Sequence, residues 1–465
     1  MSQATLSRAA AVALLMRWLG GAGQDALAAA DGPLSQANWT VIVQEAVRHG
    51  VHLLLTERWQ TTTAAPDYVM RWLAAETAAN ARRNERLHAE LSAILHGAAA
   101  QGIELIPFKG AHLLLDRHGY PRPEVRPLAD LDLLAQSAQI PALRLLMLRL
   151  GYIEEARVTW KHLNFIKPDN TRLSSFSAGD PDNPRRVEVH TALAEDFLGL
   201  RLELTSAAWQ HSQTPTPVRL LPPWLFFLHL AAHASQDVWE RKARLLQLVD
   251  LQRVWQPLTR QDIACIGVAC GAAAAWFDAQ GLQGERPRAV ASLAGVRLEP
   301  RLLLPALTLL QSVFPGVPPP GLTSALNETL QPGLRAWLQQ ISLAEVSLSN
   351  PAPRRLADNL RWTQRSGERL NVLRHLLLPD RYGLLGNRFP RLVSSPLFPL
   401  AYPLHLVFLG GWVQRRLRQR GQRAGISFHQ RMLDATAASL AAAAQSASAG
   451  SAAAGAQAQA MGESA

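Results

Sequence analysis

The chain has 465 residues, nearly half of them hydrophobic, a formal net charge of +11 and only two cysteines. That length and apolar content allow two or three cored domains, and a mean hydropathy near zero excludes a largely membrane-embedded protein. Cys265 and Cys270, five apart on a helical stretch, imply neither a disulfide framework nor a metal box. The positive excess is mostly arginine scattered along helices, a pattern that a GC-rich genome explains as well as a nucleic-acid partner does, so nucleic acid is not required by charge alone.

Residues 1–100 read as a helical arm. Leu14, Leu15, Trp18 and Leu19 share an apolar face, Ser35 begins a helix through Val47, and Pro66 opens a long helix through Leu95 that contains Arg82, Arg83 and Arg86. The apolar N-terminus is interrupted by Arg17-Trp18, which favours a helix of the fold over a signal peptide. Residues 101–215 alternate between strand and helix signals: a strand Ile103–Phe108, a helix Ala111–Arg117, a strand Asp130–Ala135, a helix Ile140–Leu150, a strand pair at Tyr152–Val158 and His162–Lys167, then a turn-rich Asp180–Pro184 before Arg186–His190. Residues 216–345 return to helix, with Trp224–Ala234 opened by Pro222-Pro223, Trp239–Trp255, a Pro/Gly-rich loop at Val313–Gly321 and a helix from Gly333 to Leu348. In residues 346–430, a helix from Pro353 to Leu377 precedes an apolar run, 393–414, that nears a membrane span in length but is broken by Pro396, Pro399, Pro403 and paired glycines. It reads first as a buried helix hairpin and second as a membrane-surface contact through 393–423, whose basic end suits an anionic leaflet. The Ala/Ser/Gly-rich tail, 431–465, reads as disordered.

The chemistry concentrates in the second region. Alternate side chains of a strand share a face, so Asp130 and Asp132 project side by side while Leu131 turns into a core. Paired carboxylates repel unless a cation lies between them, and rigid hard oxygens suit Mg²⁺ or Mn²⁺ carrying substrate phosphates. In Arg186-Val187-Glu188-Val189-His190, Glu188 and His190 share a face and could add a third carboxylate to the same metal. His229 and His233, at i and i+4, lack recognisable further zinc ligands and read better as packed or substrate-side groups. Plainer readings stay open: Lys109 as a surface lysine closing a strand, Gly110 as a helix opener, Arg126 as the ion-pair partner of Glu124 or Asp130.

The order Phe108-Lys109-Gly110, Arg126, Asp130-Leu131-Asp132 and Glu188-Val189-His190, continued by His229, His233, Trp239 and Asp250, resembles an uncharacterised bacterial nucleotidyltransferase-like family of the DNA polymerase β-type superfamily. The likeness is good over roughly residues 100–255. It departs from the wider superfamily in two places: Ala111 rather than Ser follows Gly110, and the aspartates lie twenty residues further on. The resemblance implies an α+β protein, a small mixed-sheet nucleotidyltransferase core embedded in a mostly helical chain. It implies catalytic and metal-binding roles for Asp130, Asp132 and Glu188, nucleotide binding by Lys109, Gly110 and Arg126, and places behind the metal ligands or on the acceptor side for His190, His229 and His233. Expected partners are an NTP and an unidentified acceptor, in the cytoplasm where nucleotides are. The competing expectation is a degenerate, nucleotide-binding accessory protein, with a membrane surface as one place for it.

Overall fold

A computed structural model describes residues 5–21, 34–56, 65–116, 122–155, 162–168, 183–197, 200–212, 218–293, 298–349, 360–378, 395–418 and 434–446, together with Trp59, Tyr120 and a few other single residues. Helices dominate, and they surround one five-stranded sheet and a separate two-stranded hairpin.

Among the described residues, three α-helices come first: α1 (Arg8–Gly20), α2 (Gln36–Arg48) and α3 (Asp67–Ala99). Ser7 and Ser35 start the first two by accepting a hydrogen bond from the N–H groups of Ala10 and Asn38. Strands β1 (Leu105–Phe108) and β2 (Asp130–Ala135) flank α4 (Lys109–Leu115), and α5 (Ile140–Arg149) leads to β3 (Ile153–Glu154), β4 (His162–Ile166) and β5 (Arg186–His190). The sheet order is β1-β2-β5-β4-β3, with β2 and β5 parallel and the other neighbours antiparallel. A hairpin of β6 (Ala194–Phe197) and β7 (Leu200–Glu203) then precedes α6 (Thr205–His211), α7 (Pro223–Glu240) and α8 (Leu245–Trp255).

The two faces of the sheet have different neighbours. Leu131, Leu133, Val187, Val189 and Phe165 bury one face against Leu87, Leu91 and Ile94 of α3 and Leu143, Leu146 and Met147 of α5. On the other face Ile106, Phe108 and Leu134 join a larger core made by α1, α2, α7, α8 and the helices beyond residue 260. The N-terminal helices therefore pack with the C-terminal half of the chain, and Trp18, Trp39 and Trp59 meet ring to ring at centroid distances of 5.4–6.3 Å. The small mixed sheet within a helical frame is the α+β architecture anticipated.

Several expectations change. Trp239–Trp255 is not one helix: Trp239 lies in the last turn of α7, which ends at Glu240, and Arg241, at φ 56°, turns the chain towards α8. The apolar run is no buried hairpin. One helix, Ala401–Arg418, follows a short 3₁₀ turn, and Leu397, Leu404 and Val407 are 61%, 48% and 74% exposed. Pro396 and Pro399 suit the irregular start of this stretch, and among the described residues no second arm packs on the helix. Among the described residues, no helix is long and apolar enough to cross a membrane. The tail is helical over 434–446, where Leu440 is buried, because alanine is the best helix former and one apolar anchor suffices to dock it. Residues 156–158, 351–359 and 447–465, on which further expectations fell, lie outside the described residues.

Candidate functional site

Register brings the chemistry together. Phe108 pairs with Asp132 across β1–β2, Asp132 with Glu188 across β2–β5, and Glu188 with Asn164 across β5–β4. His162 pairs with His190 on the same two strands. Because the intervening Leu131, Leu133, Val187 and Val189 are in the core, Asp130, Asp132, Glu188 and His190 all face away from it.

A clamp from outside the sheet holds the acidic strands. Arg83, fully buried in the middle of α3, donates from Nε to the Leu128 carbonyl (2.8 Å) and from Nη2 to the Ala129 carbonyl (2.8 Å), just before Asp130. The same guanidinium reaches the Asn183 and Pro184 carbonyls, at 2.9 and 3.0 Å, just before β5. Asn80 and Asn84 donate to the Arg126 carbonyl, at 3.2 and 3.1 Å. Buried carbonyls of irregular backbone need donors, and α3 supplies them.

The carboxylates differ. Lys109 Nζ lies 2.8 Å from Asp132 Oδ1, and His190 Nε2 donates to the same oxygen at 3.1 Å. Burial would raise the Asp132 carboxyl, but Lys109 and His190 outweigh it and hold it below the usual carboxylate range. Asp130 is pushed up to about 6, by burial first and then by repulsion from Asp132 and Glu188. Burial pulls the Lys109 ammonium down, while Asp132, Glu195 and Asp130 more than restore it. Lys109 sits in the left-handed region at φ 48°, a conformation costly for a lysine and typical of functional turns. Crowded like charges of this kind are what a divalent cation relieves, so the donor set fits a hard metal ion.

Other predicted residues have different surroundings. Arg126 is engaged by Asp250, with Nε and Nη2 at 2.9 and 2.7 Å from its two oxygens, and the Tyr120 hydroxyl donates to Asp250 Oδ1 at 2.7 Å. The partner expected from the sequence was Glu124 or Asp130, and the structure gives neither. Gly110 is buried, and a Cβ there would come within 2.1 Å of Leu128 Cδ1. Its bare backbone is thus accounted for by helix packing.

A cavity of about 210 Å³ opens beside Lys109, Glu188 and His190 and extends to His229, His233 and Gln236. His233 Nδ1 donates to Glu195 Oε1 at 3.1 Å. His229 stacks on His233 at 6.3 Å, edge-on to Phe108 at 5.3 Å, with no hydrogen-bond partner for either ring nitrogen among the described residues. Burial holds its imidazole down at about 3, so it is neutral.

Sequence reasoning missed Arg83 and Glu195. Nothing local marks Arg83 within its basic stretch. For Glu195, the alternation of Leu200 and Leu202 with Arg201 and Glu203 after Gly199 was a legible hairpin signal.

Residues 35–266 match a family described as uncharacterised nucleotidyltransferase. No curated protein and no solved structure matches the chain.

Proposed function

The chain belongs, through residues 35–266, to that uncharacterised nucleotidyltransferase family, and from this premise we propose that it moves an NMP group from an NTP to a hydroxyl-bearing acceptor with release of pyrophosphate. The observation that carries the reading is the pairing of Asp132 with Glu188 on adjacent parallel strands, with Asp130 two residues away on the same face. Asp130, Asp132 and Glu188 would hold Mg²⁺ or Mn²⁺. Bound there, a divalent ion supplies charge neutralisation on the phosphate oxygens and orientation of the attacking and leaving groups.

The remaining work belongs to side chains. Lys109 offers an ammonium to phosphate oxygens from its tight turn. Arg126, held by Asp250, fixes the connection that delivers Asp130, and Gly110 lets α4 close on Leu128. The cavity is smaller than the ~300–1,000 Å³ of a typical ligand pocket, so it suits the acceptor's reacting end rather than a whole nucleotide. In it, His233, oriented by Glu195, is placed to accept a proton from an acceptor hydroxyl, and neutral His229 can accept or donate one hydrogen bond.

One observation favours a second reading, a nucleotide-binding accessory protein without turnover. The Lys109 ammonium already supplies a positive charge at Asp132. Incubation with α-phosphate-labelled NTPs, Mg²⁺ or Mn²⁺ and cell extract separates the two. Transferred label, lost in Asp132→Asn, supports the enzyme; metal-independent NTP binding with no labelled product supports the accessory protein.

A further inference from the structure

The same sheet face carries a second set of donors of a different chemical kind. His162, Glu188 and His190 each offer one ligand atom, and these atoms lie within 4.8 Å of one another. Glu188 Oε2 is 3.8 Å from His162 Nε2 and 3.7 Å from His190 Nε2. Ligands about 2.0–2.2 Å from one tetrahedral ion stand roughly 3.4 Å apart, so Glu188 needs to close by only a few tenths of an ångström on each imidazole, and the two imidazoles, within 4.8 Å of each other, by rotation of their side chains. Two antiparallel strands fix the set, since His162 is registered directly opposite His190 and Asn164 opposite Glu188. An independent observation points to a missing partner. Asn164 Oδ1, on the face shared by His162, is buried with no hydrogen-bond partner among the described residues. A buried amide oxygen left unmatched is costly, and a cation would satisfy it.

We infer that His162, Glu188 and His190, with Asn164 Oδ1 as a further oxygen donor, bind one divalent transition-metal ion of the Zn²⁺ or Co²⁺ kind. Two imidazoles favour such ions over Mg²⁺, which prefers oxygen and water. On binding, His190 gives up the Nε2 hydrogen bond to Asp132 Oδ1, ligates through Nε2 and carries its proton on Nδ1, while Asp132 keeps Lys109 as its partner. The inference rests on the nucleotidyl-transfer reading only in sharing Glu188, which would then lie between this ion and the aspartates.

Full-length protein stripped by chelator and titrated with Co²⁺ tests it. About one equivalent is expected to survive desalting in excess Mg²⁺, with visible d–d bands of mixed nitrogen and oxygen coordination. His162→Gln, checked for folding by circular dichroism, should weaken Co²⁺ at least about tenfold, the lower end of what losing even an outer partner of a ligand costs. On the unaltered protein, Cu²⁺ electron paramagnetic resonance should show splitting from two imidazole nitrogens, a readout that needs no variant. Absence of retained Co²⁺, displacement by Mg²⁺ at equal concentration, or fewer than two coordinated nitrogens overturns the inference. These are binding readouts. Label transfer in Mg²⁺ without retained Co²⁺ would remove the site and leave the activity, whereas retained Co²⁺ without transfer would do the reverse.

Discussion

Asp130 and Asp132 are two residues apart and electrostatically opposite. Asp132 has Lys109 and His190 on one oxygen, while Asp130 meets mainly other carboxylates. A carboxyl raised to about 6 holds its proton more tightly folded than unfolded. Its contribution to stability is therefore full below about pH 4 and is lost as pH rises towards 6. At pH 7 the ionised Asp130 weakens the fold, and Asp130→Asn is expected to raise Tm there while abolishing label transfer. Asp132→Asn should also abolish transfer but lower Tm, because it strips a part-buried ammonium of its counter-charge. Thermal melts of the two variants at pH 7 check the opposite signs; equal shifts would contradict the charge arrangement. The same reasoning has Mg²⁺ raising Tm more at pH 7 than at pH 5, where Asp130 carries its proton.

At the scale of elements, much of the acidic sheet was legible because a strand's two-residue alternation is a local signal. Asp130–Ala135 appears with the predicted bounds, and Arg186–His190 as the expected third-carboxylate strand. What holds these strands was not legible. Arg83 reaches carbonyls 45 to 101 positions away, and Arg126 finds Asp250 124 positions away, distances over which no periodicity speaks. Helix breaks were misjudged where one backbone angle decides, as at Arg241. The Arg126–Asp250 pair is nearly buried and two-pronged, so Arg126→Ala, which leaves Asp250 uncompensated, should cost about 3–5 kcal/mol in urea unfolding. Removing both partners should cost clearly less than the sum of the single changes. A purely additive double variant would contradict the pairing. Gly110→Ala should cost about 1–3 kcal/mol by overpacking against Leu128, with part recovered by Leu128→Ala.

The whole molecule is stitched by neutral histidines. His49 accepts from the Leu245 N–H at 3.1 Å and meets Ser349 Oγ at 2.9 Å, joining α2 to segments some 200 and 300 residues away. His52 packs on Trp72, His112 stacks on Phe226 at 3.9 Å, and His229 lines the cavity. Burial is the main cause that holds His49 and His229 down at about 3, and His52 and His112 at about 4. A histidine whose folded pKa is depressed contributes stability present above its unfolded value of about 6.5, and loses it as pH falls towards the folded value. Asp130 and His233, both raised, act oppositely, but they are two groups against five, since burial lowers His162 as well. Between pH 6 and 5 the unfolded chain thus binds about three more protons than the folded one, and each is worth about 1.4 kcal/mol per pH unit. A loss of about 3–4 kcal/mol per unit is a large share of the ~5–15 kcal/mol of an ordinary protein. Urea midpoints are accordingly expected to fall steeply from pH 6.5 to pH 5, with a shallower slope in His52→Phe, which keeps the ring contact with Trp72 and removes one proton site. Midpoints flat over that range would mean that these imidazoles can take up protons without opening the joint between the N-terminal helices and the rest of the chain.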